Sequence, residues 1–186
     1  NKKKNLQQFK KYIIKNLTFD NFVELAEGDL IEIFHSNEKG KQIRCMASQY
    51  AKKLNIQNII TKKNKTHNEK MKIELFNKAC SSYNNFLKYL NDDDIIINYE
   101  YVWDLFSKPN VKIFPEGLNI ILFRILEDDT TDNIDIVCPP NYNSSKYSKN
   151  KPTVFIVQDG VYYEPIIKVE NKLDNNQIYS KLEITY

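Results

Sequence analysis

Asn98-Tyr-Glu-Tyr-Val-Trp-Asp-Leu-Phe106, Phe114-Pro-Glu-Gly-Leu-Asn-Ile-Ile-Leu-Phe123 and Thr131-Asp-Asn-Ile-Asp-Ile-Val-Cys-Pro-Pro-Asn-Tyr142 decide the fold, because the apolar period changes from helical to strand-like across them. Tyr99 to Phe106 fits two turns of helix with Tyr99, Val102, Trp103 and Phe106 inward, and Pro109 blocks its continuation. Val111 to Phe114 and Leu118 to Leu126 read as strands flanking Pro115 to Gly117. The run Asn119 to Phe123 is nearly all apolar, which predicts a central strand buried on both faces. Asn133 to Val137 is a further strand, stopped by Pro139 and Pro140. Thr153 to Gln158 and Val161 to Val169 are predicted to form a hairpin around Asp159-Gly160, with positive φ at both turn positions, and Ile178 to Tyr186 adds a last strand.

Upstream of this stretch the pattern is helical. Leu6, Phe9, Tyr12, Ile13, Ile14 and Leu17 form one apolar stripe, with Lys10, Lys11 and Lys15 on the other sides. Thr18 to Asp20 supply N-cap chemistry for a short helix, Asn21 to Ala26, that Gly28 closes. Leu30 to Phe34 alternates and reads as a short strand, Gln42 to Leu54 as a helix. From Asn68 an apolar stripe through Phe76, Cys80, Tyr83 and Leu90 predicts the longest helix, ended by Asn91 to Asp94. The fold class is therefore α+β: a helical N-terminal half followed by a mostly antiparallel β-sheet with a short Trp-containing helix. The expected division is a basic helical region, 1–91, and an acidic sheet region, 92–186, able to pack as one compact domain.

Charge is segregated beneath a net +3: residues 1–90 hold 18 Lys+Arg against 8 Asp+Glu, residues 91–186 hold 9 against 16. A basic first half can track phosphates or pack on its own acidic second half. Three widely spaced cysteines and two histidines argue against a disulfide framework or a zinc site, and four glycines leave no phosphate loop, so no metal and no cofactor is expected. Cys45 and Cys80 fall on apolar helix faces and read as core. No apolar run reaches the roughly 20 residues that cross a bilayer, so no membrane partner is expected. The abundance of Asn, Ile and Lys points to an AT-rich genome, and a chain opening on Asn1 to an excerpt from a longer polypeptide.

The candidate contact residues are basic and aromatic. Lys10, Lys11, Lys52, Lys53, Lys62, Lys63 and Lys65 form lysine-rich helical surfaces suited to phosphates. The loop from Pro139 to Pro152 places Tyr142 and Tyr147 beside Lys146 and Lys149, a combination of stacking and charge that holds single-stranded nucleic acid. Asp128, Asp129, Asp132 and Asp135 could offer oxygen ligands to magnesium, although turn chemistry accounts for most of them. Glu170-Asn-Lys172 with Asp159 upstream is the nearest approach to a metal-nuclease pattern, and Asp159 has a turn role already. No catalytic residue is expected.

Tyr99 to Phe106, Ile113 to Ile121, Asp132 to Tyr142 and Tyr163 to Ile166 together resemble an uncharacterised region found in long proteins of nucleocytoplasmic large DNA viruses, the giant viruses, over about residues 85 to 170. Where that family's pattern has a histidine near Asn143, this chain reads Asn141-Tyr-Asn-Ser-Ser145, so no role for such a residue carries over. The resemblance implies a domain of a large viral protein acting in the cytoplasm of an infected cell or in the virion. The expected function is non-enzymatic binding or scaffolding, with protein or nucleic acid as partner. The alternative is a metal-dependent nuclease or other DNA-processing domain using the acidic residues.

Overall fold

The computed structural model describes residues 2–36, 45–110, 112–126, 134–137 and 150–166, with residues 2–6 described as backbone only. The protein is α+β. It divides into two compact units, 1–115 and 116–186, so the helical part continues past Asn91 to take in the Trp-containing helix and the turns after it. That helix packs against the turn Leu25–Gly28, which is why it belongs with the helices rather than with the sheet.

Helices α1 (Lys2–Asn16), α2 (Phe19–Phe22), α3 (Leu30–Ile33), α4 (Gln49–Lys53), α5 (Ile56–Thr61), α6 (His67–Asn91) and α7 (Tyr99–Ser107) build the first unit. The 25-residue α6 touches α1, α2, α3 and α5 and carries the aromatic side of the core. Phe76, Phe86 and Cys80 are fully buried on it, and Phe86 meets both Phe22 and Phe34, with ring centroids 5.4 and 5.0 Å apart. Its polar residues hold the irregular chain around it. Tyr83 Oη donates to the Leu17 carbonyl at 2.7 Å, Ser82 Oγ to Ile31 at 2.6 Å, and Asn85 Nδ2 to Phe34 at 2.9 Å.

These bonds explain one difference from expectation. Leu30 to Phe34 is helical, not extended: four residues are too few to separate a period of 2 from one of 3.6, and here Leu30 and Ile31 are both buried while Ile33 is half exposed. On α1 the buried stripe runs through Lys10, Ile13 and Leu17, while Phe9 and Tyr12 are largely exposed, a rotation from the expected face. Phe9 still stacks on Phe106, and Tyr12 donates to the Lys112 carbonyl. Of the expected strand Val111 to Phe114, residues 112–114 are described and form a turn: Asn110 Oδ1 accepts from Lys112 N, and Asn110 N donates to the Phe114 carbonyl.

The backbone is left-handed at Ala26 (φ 46°) and Glu27 (φ 57°) before Gly28 (φ 98°), a conformation non-glycine residues adopt at a cost of about 1 kcal/mol or more each. Asp104, on the buried side of α7, holds this turn by accepting from Ala26 N at 3.0 Å, and Lys108 bridges to the same carboxylate oxygen at 2.9 Å.

The second unit is a four-stranded sheet in the order β2-β1-β3-β4, with β1 Asn119–Ile125, β2 Ile134–Val137, β3 Thr153–Asp159 and β4 Tyr162–Pro165. β1 is internal, as its composition predicts, but its two faces are covered unequally: Ile120 and Leu122 are buried on one, while on the other Asn119 is buried and Ile121 and Phe123 are half-buried. The sheet is mixed: β1 pairs antiparallel with β2 and parallel with β3, and β3 pairs antiparallel with β4. The hairpin is one residue displaced from expectation. Asp159 pairs with Tyr162, so Gly160 and Val161 are the central residues, and of the two only Gly160 has positive φ (54°), as a type II′ turn requires. Ile178 to Tyr186 lies outside the described residues.

Tyr83→Phe removes the donor that satisfies the Leu17 carbonyl and is expected to lower unfolding free energy by about 1–2 kcal/mol in urea titration. A change at the exposed Ile96, such as Ile96→Thr, is expected to stay within about 0.5 kcal/mol in the same measurement.

Candidate functional site

The lysines singled out in the sequence fall into three structural situations. Those of residues 52–65 are brought together around α5. Ser48 caps α4 by accepting from Ala51 N, and Asp20 reaches across from α2 to accept from Gln49 N and Tyr50 N at 3.0 and 2.9 Å. The helix therefore starts on a pair of fixed acceptors and ends, five residues later, on Lys52 and Lys53, where cations suit the negative end of the helix dipole. Asn55, left-handed at φ 58°, breaks the chain between α4 and α5; asparagine tolerates this region better than most residues.

Helix α5 has six residues and is thus about 9 Å long. Ile56 and Ile59 bury one side of it, and lysines stand at both ends: Lys52 and Lys53 before, Lys62, Lys63 and Lys65 after. The next helix opens on a capping box, in which Thr66 accepts from Glu69 N and Glu69 accepts from Thr66 N. Between residues 45 and 72 there are seven lysines, and Glu69 is the sole acidic residue. Lys62 pairs with that glutamate, and Lys65 donates to the Lys62 carbonyl at 2.6 Å. Lys52, Lys53 and Lys63 are exposed and have no ion pair among the described residues. Lys70, also exposed, belongs to the same ridge, and sequence reasoning missed it because it lies within an apparently amphipathic helix.

On α1 the two neighbours part company. Lys11 is exposed, whereas Lys10 is 8% exposed and donates to the Asp92 carbonyl at 2.6 Å, with Asp93 3.9 Å away. Lys10 joins α1 to the end of α6 instead of facing solvent. Tyr142, Lys146, Tyr147 and Lys149 lie outside the described residues, as do Cys138, Asp128, Asp129, Asp132, Glu170 and Lys172.

Asp135 is bridged to Arg124 at 2.9 Å across β1 and β2, and Asp159 ends β3. Among the described residues no three of His, Cys, Asp and Glu come together as a metal site, and no helix is long and apolar enough to cross a membrane. Cys45 and Cys80 are both buried free thiols. The interaction between the two thiols holds that of Cys45 below its usual range and pushes that of Cys80 up, burial adding to the second effect. A cleft of about 120 Å³ lies between Asn21, Glu24, Asp104, Lys108 and Asn110, well under the roughly 300 Å³ at which small-molecule sites begin.

No protein-family model matches the chain, and neither a curated protein nor a solved structure is detectably similar to it.

Glu69 links the ridge to helix initiation, and this makes a pH prediction. Hydrogen bonds from Lys62 and from Thr66 N hold its carboxyl below the usual carboxylate range. The folded pKa is depressed, so the contribution is present above the ordinary glutamate pKa and is lost as pH falls through the lowered value. Glu69→Gln is thus expected to lower the melting temperature at neutral pH, and the difference from the parent chain is expected to close on acidification.

Proposed function

We propose that this chain is a non-enzymatic binding module of a larger viral protein and that it holds nucleic acid through the lysine ridge around α5. The observation that carries the reading is the local imbalance: seven lysines face one glutamate between residues 45 and 72, and that glutamate is already used as a cap and as the partner of Lys62. Lysines displaced from internal pairs are free to replace counterions on a phosphate backbone. The short, buried-sided helix α5 separates the two lysine groups by about 9 Å, a spacing that reaches more than one phosphate. The ridge offers no exposed aromatic ring: Tyr50, the aromatic residue within it, is half-buried against Phe19. Contact by charge without stacking favours the backbone over the bases, and hence binding without sequence preference.

Fluorescence anisotropy with a labelled duplex is expected to show binding at about 50 mM salt, with a log–log salt slope near −4 if four to five phosphates are neutralised. The triple change Lys52→Gln, Lys53→Gln, Lys63→Gln is expected to weaken binding by more than about tenfold, with a small fall in melting temperature from the loss of the two cations at the end of α4. Absence of binding at low salt, or indifference to the triple change, would overturn the reading. Strand cleavage that requires a divalent cation would replace it with a metal-dependent nuclease.

A further inference from the structure

The two faces of the sheet are unlike. Ile120 and Leu122, on one face, are 9% and 1% exposed. Strand register puts Phe123 and Ile125 of β1, Ile134 and Ile136 of β2, Val157 of β3 and Tyr162 of β4 on the other. Here Ile136 is 63% exposed, and Ile125, Ile134 and Tyr162 also stand in solvent. Phe155 joins this face by stacking on Phe123, with centroids 6.3 Å apart. On β2 the two isoleucines face outward, while Asp135 and Val137, on the side of Leu122, are half-buried. These residues form one contiguous, largely apolar face.

Size and charge select the occupant. With strands about 4.8 Å apart and residues about 3.3 Å apart, the apolar face has a footprint of roughly 300 Å². A stable dimer buries about 800 Å² on each partner, so a second copy laid face to face supplies too little area by itself. A helix of three turns, about 16 Å long and 10 Å wide, covers roughly 160 Å² and so fits within this footprint, leaving the strand ends for its flanking side chains. Asp159 and Glu164 are the charged strand residues on this face among those described, and both are exposed. In a pair of identical faces these carboxylates would find no cation opposite them and would lose water without compensation.

We infer that this face docks an amphipathic helix of a partner protein whose apolar stripe is bordered by Lys or Arg that meet Asp159 and Glu164. A docked helix covers the face that the sheet leaves open, and the basic border sets the helix's orientation. The site is independent of the lysine ridge.

The test is titration of the full chain with a labelled 18-residue Leu/Lys amphipathic peptide and with a Leu/Glu peptide of the same apolar stripe. The Leu/Lys peptide is expected to bind, and Ile136→Ser, at an exposed position, to weaken it roughly tenfold without changing the circular dichroism or melting temperature. Glu164→Gln is expected to reduce the preference for Leu/Lys over Leu/Glu while leaving Leu/Glu binding in place. Equal affinity for the two peptides, or no effect of Ile136→Ser, would overturn the inference. So would sedimentation showing a dimer that Ile136→Ser dissolves, or binding to anionic lipid vesicles that the same change abolishes.

Discussion

The first unit depends on one constraint: the short elements before α6 are too short to be stable alone, and the polar side chains of α6 fix their backbones. Isolated helices of four residues do not persist in water, because nucleation costs more than one or two hydrogen bonds return. α2 and α3 have four residues each. They are held because Phe19, Phe22, Leu30 and Ile31 are buried and because Ser82, Tyr83 and Asn85 donate to carbonyls that would otherwise face the core unpaired. Burial supplies most of the favourable free energy, since each large side chain removed from water contributes about 1.5–3 kcal/mol. The hydrogen bonds contribute less but decide which backbone conformation accompanies the burial.

This division of labour explains what could be read from the sequence. α6 was legible because its stripe persists over many turns and Asn91 to Asp94 mark its end. α7 was legible through the spacing of Tyr99, Val102, Trp103 and Phe106 and through Pro109. β1, β2 and the β3–β4 hairpin were legible from β-branched runs between breakers. Leu30 to Phe34 was not, since its helical state is imposed by Ser82 and Asn85, about fifty positions away. The parallel pairing of β1 with β3 was also hidden: local alternation reports which residues share a face, not which strand lies alongside.

The candidate site was partly legible for a related reason. Lysine runs are visible in any sequence, but whether a lysine is spent depends on what it meets. Lys10 and Lys11 are adjacent, yet only the first reaches the Asp92 carbonyl. Helical phase separates them by about 100° and the end of α6 supplies the partner, and neither fact is local to the run. The outward isoleucines of β2 were hidden as well. Their alternation with Asp135 announces a strand with one apolar face but does not say which side the rest of the sheet leaves open.

The basic character of the ridge follows from where the first unit uses its acids. Residues 1–115 hold 20 Lys+Arg and 13 Asp+Glu, a moderate excess that even mixing would dilute. Several of the carboxylates are committed to backbone N–H groups: Asp20 to Gln49 and Tyr50, Glu69 to Thr66, and Asp104 to Ala26. Each satisfies a helix start or a left-handed turn, tasks a lysine cannot perform because it has no acceptor. Carboxylates fixed in this way meet only the cations within their reach, Lys62 at Glu69 and Lys108 at Asp104. Lys52, Lys53 and Lys63 are left beside helix ends with no ion pair among the described residues, so the same capping that makes short helices possible also concentrates positive charge between Lys52 and Lys70.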